Sequence, residues 1–192
     1  RFATDLRAAL DAAASGARVV FTAHSVPDAA DAVAGPPELG GHLYSRQVQE
    51  ASRLVADAVG VREYDVVWQS RSGPPSVPWL EPDVVDHVTA LATGQGVTDV
   101  VVVPIGFISD HVEVIWDLDT ELVDEVRDLG VTVTRCATPG PHRAFHVAAG
   151  GSVCVHCRPS GSVTPPQGVV DLMVALHDGD WEYAQATTSS HR

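Results

Sequence analysis

Three carboxylates, Glu113, Asp117 and Glu121, follow one another at intervals of four residues. On a helix that spacing lays them along one slowly drifting stripe of about 12 Å, at roughly 1.5 Å per residue. Like charges so placed oppose helix formation by about 0.2–0.5 kcal/mol per pair. No Lys or Arg occurs between Arg71 and Arg127 to offset them. With His111 close by, the stripe reads as a path for a cation or for protons. A structural reading stands beside it: Asp110 and Glu113 have capping-box spacing, acidic residues suit the first turn of a helix, and an acidic stripe is often a solvated face.

His24 is a second candidate, because it ends an apolar run where an imidazole can serve as base or metal ligand near neutral pH. It reads equally as a hydrogen-bonded structural histidine. Ser25, Ser70 and Ser72 do not make a hydrolase: Gln69-Ser70-Arg71-Ser72-Gly73 lacks the leading glycine of a nucleophile elbow. Gly94-Gln95-Gly96 precedes a strand instead of following one, which excludes a dinucleotide fingerprint. Trp79 lies in a proline-stiffened loop, either as core or as a flat surface for an aromatic ligand. Cys154-Val155-His156-Cys157 has metal-ligand chemistry but no second pair to complete a site. Cys136 reads as a buried thiol.

The elements that must position these residues follow from periodicity. Helical spacing is predicted over Asp5–Ala14, from Tyr44 to Ala58 ending at Gly60, from Pro82 at a first turn to about Gly94, and from Asp110 to Leu129. Strands are predicted at 18–22, 65–69, 99–103 and 131–135 from their β-branched content. Gly35 to Gly41 reads as a connection and Ser70 to Leu80 as irregular, being rich in proline. Alternating strands and helices imply an α/β fold, a parallel sheet with helices on both faces. Chemistry in such sheets gathers at the carboxyl ends of the strands, where His24, Ser70 to Trp79 and Gly106 to Glu113 all fall. After Phe145 sustained periodicity is lost, so residues 1–145 are expected to form one lobe and 146–192 a divergent, irregular tail.

Composition narrows the function. A chain of 192 residues with 45% apolar content can bury one core. Its net charge of −13, with all twelve basic residues arginine, argues against a nucleic-acid partner, which needs clustered cations. No stretch is long and apolar enough for a membrane span. Three cysteines form no disulfide framework, and the cytoplasm is the default location. The opening, Arg1-Phe2-Ala3-Thr4-Asp5-Leu6, reads like the middle of a helix, as expected of a fragment.

Three ordered motifs then carry a resemblance. Phe21-Thr22-Ala23-His24-Ser25-Val26-Pro27 resembles the histidine motif of ferrochelatases. Trp68 to Pro74 with Pro78-Trp79-Leu80 is similar to their porphyrin-side loop, and Gly106 to Glu113 with Asp117 and Glu121 to their glutamate motif. The resemblance covers about 1–145, the C-terminal half of the family's chain, and the loop around Pro75–Val77 is similar to the actinobacterial branch. It implies a Rossmann-like chelatase lobe that inserts Fe²⁺ into a porphyrin in haem biosynthesis: coproporphyrin III by its likeness to the actinobacterial branch, with protoporphyrin IX the other substrate left open. His24 would take pyrrole protons or meet the metal, Glu113 would face it across the cleft, and Asp117 and Glu121 would extend the metal or proton route. Ser70 and Trp79 would border the macrocycle. The family's N-terminal lobe would supply the opposite wall. Some relatives hold a [2Fe-2S] cluster, but three cysteines cannot supply four thiolates, so none is expected and no resident cofactor is required. Two alternatives remain: a chelatase for another metal or tetrapyrrole, and a non-catalytic porphyrin- or metal-binding fragment.

Overall fold

Four short runs dense in valine build the centre of the chain. In the computed structural model, which describes residues 1–107, 112–136, 142–146, 151–154 and scattered positions between 161 and 186, they form β1 (Arg18–His24), β2 (Tyr64–Gln69), β3 (Asp99–Val103) and β4 (Thr132–Arg135). All pair in parallel, in the order β2-β1-β3-β4. Strands buried on both sides need β-branched side chains in every position, and Val100 to Val103 supplies four in a row, none more than 1% exposed.

Alternation along the strands divides the core in two. Val19, Phe21, Ala23, Val101 and Val103 face one way, against Leu6 and Ala9 of α1 (Phe2–Ala12) and Val48 and Ala56 of α3 (Leu43–Val59). Val20, Val100 and Val102 face the other way. There they meet Val84, Val88 and Leu91 of α4 (Val84–Gln95) and a stripe at 114, 118, 122 and 126. The α/β reading of the sequence is thus what the chain adopts. A short α2 (Asp28–Ala32) and a 3-10 turn (Pro37–Leu39) occupy the β1–α3 connection, where the sequence suggested only a glycine- and proline-rich link.

Two helical expectations need correction. Pro82 does not open α4: Asp83 is the N-cap, its carboxylate accepting the Val85 N–H at 2.8 Å. The single helix expected from Asp110 to Leu129 is instead α5 (Val112–Val114), a π-helical stretch (Ile115–Glu121) and α6 (Leu122–Arg127). Asp110 and His111, and with them the expected capping box, lie outside the described residues.

The chain divides into two compact units, Arg1–Pro139 and Gly140–Arg192. The second contains an antiparallel pair, β5 (His142–His146) and β6 (Gly151–Cys154). It straddles the residue 145/146 boundary suggested by periodicity and places a strand where none was expected. His156 and Cys157 lie outside the described residues. Among those described, no helix is long and apolar enough to cross a membrane.

Candidate functional site

Strand order decides where a cleft can form. From β1 the chain leaves to β2 on one side, while β3 lies on the other, so the connections diverge at the carboxyl end of β1. His24 is the last residue of β1, paired in register with Gln69, the last residue of β2. The loop after β3 crosses beside them through Gly106, whose N–H donates to the Thr22 carbonyl at 3.3 Å. A Cβ at this position would sit 2.6 Å from the Ala23 Cβ and 2.9 Å from its Cα, closer than packed atoms approach. Glycine here is required by contact, not by a special backbone angle.

Strand alternation puts Thr22 and His24 on the same face, that of α4 and the π-helical stretch. Thr22 and Gln69 are both buried, and the Thr22 hydroxyl donates to Gln69 Oε1 at 3.1 Å. The amide of Gln69 then donates to Asp117 Oδ2 at 3.3 Å, and the Ser70 hydroxyl donates to the same oxygen. Ser70 adopts φ 61°, a left-handed conformation uncommon outside glycine and asparagine, which turns the chain out of β2. A continuous hydrogen-bonded line therefore runs from inside the sheet, past the residue beside His24, to the middle carboxylate of the stripe.

The stripe keeps its spacing despite the π-helical turn. Val114, Leu118, Leu122 and Val126 are fully buried at intervals of four, and Glu113, Asp117, Glu121 and Glu125 each precede one of them. The carboxylates thus lie along the margin of the buried face, Asp117 half-buried and Glu113 and Glu121 exposed. Desolvation, then the charges of Asp117, Asp83 and Glu125, push the Glu121 carboxyl above its ordinary value. Burial likewise pushes Asp83 up; the Val85 and Asp86 amides oppose this, and the charges of Asp86 and Asp117 add to it. Asp83 thus belongs to the acidic group although the sequence reading passed over it; its N-cap position before an apolar run was the available signal. The charge is partly balanced after all: Arg135 of β4 reaches Asp119 at 2.5 Å. Among the described residues no three His, Cys, Asp or Glu side chains converge to hold a metal ion.

At the strand end itself, the half-buried His24 ring contacts the Ser25 carbonyl through Nδ1. A carbonyl only accepts, so in a neutral ring this contact puts the proton on Nδ1 and the lone pair on Nε2. Trp79 bridges to Pro27, and Ser25 donates its hydroxyl to the Leu80 carbonyl at 2.9 Å. The half-buried Trp79 indole carries a buried Nε1–H that has no hydrogen-bond partner among the described residues. The structure therefore joins Ser70 to Asp117 by direct contact, sets His24 beside their network in the sheet ladder, and ties Trp79 to the segment that follows His24.

The ferrochelatase family model matches residues 1–154. The chain belongs to the ferrochelatase family. Among curated relatives, the coproporphyrin III ferrochelatase of Nocardia farcinica is 60% identical over 148 residues, covering 75% of this chain and 42% of that protein. That of Mycobacterium ulcerans is 53% identical over 152 residues, covering 79% and 43%. That of Corynebacterium glutamicum is 60% identical over 129 residues, covering 67% and 34%. The chain thus spans about two fifths of the length of these ferrochelatases.

Proposed function

We propose that this chain forms the metal-side lobe of a ferrochelatase that inserts Fe²⁺ into a porphyrin, with coproporphyrin III, the substrate in its relatives' names, as the preferred macrocycle. The observation that carries the reading is the hydrogen-bonded line Thr22–Gln69–Asp117–Ser70, which sets an acidic row beside the histidine at the end of β1. Metallation exchanges Fe²⁺ for two pyrrole protons, so a site needs an acceptor for protons and an anionic approach for the cation. In this reading His24 Nε2 takes a pyrrole proton. Asp117 and Glu121 guide the cation and relay protons, Glu113 lies at the macrocycle end of the row, and Ser70 and Trp79 border the porphyrin. A group such as Glu121, pushed above its ordinary value, exchanges protons closer to neutral pH than an unperturbed glutamate. The remaining length of the relatives supplies the opposite wall, no resident cofactor takes part, and both substrates are met in the cytoplasm.

Anaerobic Fe²⁺ insertion into coproporphyrin III, followed by absorbance beside protoporphyrin IX and beside His24→Ala, tests the proposal. Turnover that is faster on coproporphyrin III and disappears in the variant is the expected result. Porphyrin binding without turnover would mean that the chain is half an enzyme and needs the opposite wall, or is a non-catalytic tetrapyrrole-binding fragment; preference for another metal would make it a different chelatase.

A further inference from the structure

Asp31, in α2, is the one charged side chain that is fully buried among the described residues, at 1% exposure. A carboxylate so far from water persists only where its oxygens are satisfied. The Ser45 N–H reaches Oδ1 at 3.0 Å, and Oδ2 accepts the Ser45 hydroxyl at 2.7 Å and the His42 Nδ1–H at 3.0 Å. The Asp31 carbonyl accepts the His42 N–H at 2.8 Å. His42 is the N-cap of α3 in a left-handed conformation, and its own side chain caps nothing. Asp31 thus caps α3 from another element.

Tyr44, between His42 and Ser45, reaches the candidate site. The Tyr44 phenol donates to the His24 carbonyl at 2.7 Å while its ring packs 5.8 Å from that of Trp68. Burial, and then the Asp31 charge, push the phenol's pKa up, so it stays a donor. The first turn of α3 therefore grips the chain at His24 and again at Asp31. Between them, the Val26 carbonyl accepts the Leu80 N–H at 3.0 Å and Asp28 N–H donates to Pro78 at 3.1 Å, which seats Trp79.

We propose that Asp31 is a positioning residue: through His42, Ser45 and Tyr44 it fixes the His24 backbone, the tautomer of the His24 ring and the seat of Trp79. Its catalytic meaning rests on the iron-insertion reading, but its geometry does not. The test is a long-range proton–nitrogen NMR spectrum of the His24 ring in the ¹⁵N-labelled chain, assigned by its loss in His24→Ala. The unaltered chain gives a single Nδ1–H tautomer. Asp31→Asn and Tyr44→Phe shift both ring nitrogens towards a mixture of tautomers. Ser52→Ala, which removes a buried hydrogen bond to Val48 on the same helix, leaves the ring unchanged. If Asp31→Asn does not fold, Tyr44→Phe, which keeps the aromatic ring, decides. An unshifted ring in Tyr44→Phe, or an equal shift in Ser52→Ala, overturns the proposal. In insertion assays Tyr44→Phe lowers kcat about tenfold with KM within about twofold, as expected for misplacement of a reacting group. An unaltered chain that neither binds porphyrin nor inserts iron would defeat the iron-insertion reading while the tautomer measurement still decided this one.

Discussion

The charged residues of the site respond to pH in opposite directions, because burial wins at some positions and hydrogen bonding at others. Burial opposes ionisation of Asp31, yet its bonds from Ser45 and His42 prevail and hold the carboxyl below its ordinary value. A depressed carboxyl contributes stability above its unfolded value, near 3.8, and loses it as pH falls through the folded one. Asp31→Asn should therefore cost about 1–3 kcal/mol at pH 7, the range for an unsatisfied buried group, and progressively less below about pH 4. Urea midpoints across that range give the answer; a gap that does not narrow in acid would mean the charge is not what matters. Asp83 has the opposite sign. Its raised value means the folded state holds the proton better, so its contribution is complete below the unfolded value and is lost as pH rises through the folded one. Asp83→Asn keeps an oxygen for the Val85 N–H but removes the charge beside Asp117 and Glu121. Stability at pH 7 should rise by about 0.5 kcal/mol, the size of one like-charge pair. The Glu121 carboxyl should titrate lower by carbon-13 NMR, and an unmoved Glu121 would show that Asp83 is electrostatically remote from it.

Elements were legible where their cause is local and obscure where it is not. The valine runs announced β1 and β3, and Gly60, at φ 87°, ends α3 where the sequence places its stop. His24 at a strand end and the spacing of Glu113, Asp117 and Glu121 could be read directly. Buried residues at 114, 118, 122 and 126 are just as compatible with one α-helix, so the π-helical turn left no mark on the pattern. The partners of Asp117 were hidden for a different reason. Gln69 and Ser70 lie nearly fifty residues away in sequence and meet Asp117 only because β2 and the π-helical stretch end on the same side of the sheet. Arg135 and Asp119 were likewise invisible as a pair. Gly106 gives this level a direct test. Gly106→Ala drives a methyl into Ala23, including its backbone Cα, and should destabilise the chain by about 1–3 kcal/mol. Gly94→Ala, within α4 and with open space around its Cβ, should stabilise it by about 0.5–1 kcal/mol. Thermal unfolding of the two variants side by side checks both signs; a tolerated alanine at 106 would mean that the β3 loop can stand off β1 without loss.

At the scale of the whole chain, the two hydrophobic clusters settle which part can stand alone. Among the described residues, all buried members of both, from Leu6 to Cys136, lie within the first compact unit, as do the four parallel strands. Side-chain burial of this kind is the main force opposing chain entropy. Ending the chain after Pro139 should therefore leave the sheet, both cores and the Thr22–Gln69–Asp117–Ser70 line intact. We expect cooperative urea unfolding of residues 1–139 with a stability within about 1 kcal/mol of the longer chain. The slope of the transition should fall in proportion to the surface no longer exposed on unfolding. The His24 ring should keep the same tautomer, because Tyr44, Ser25 and Asp31 are all retained. Loss of cooperativity would mean that residues 140–192 complete a core that the first unit lacks. A retained fold with an altered His24 ring would place part of the site's support beyond Pro139, and the acidic row would then belong to a larger structure than one α/β lobe.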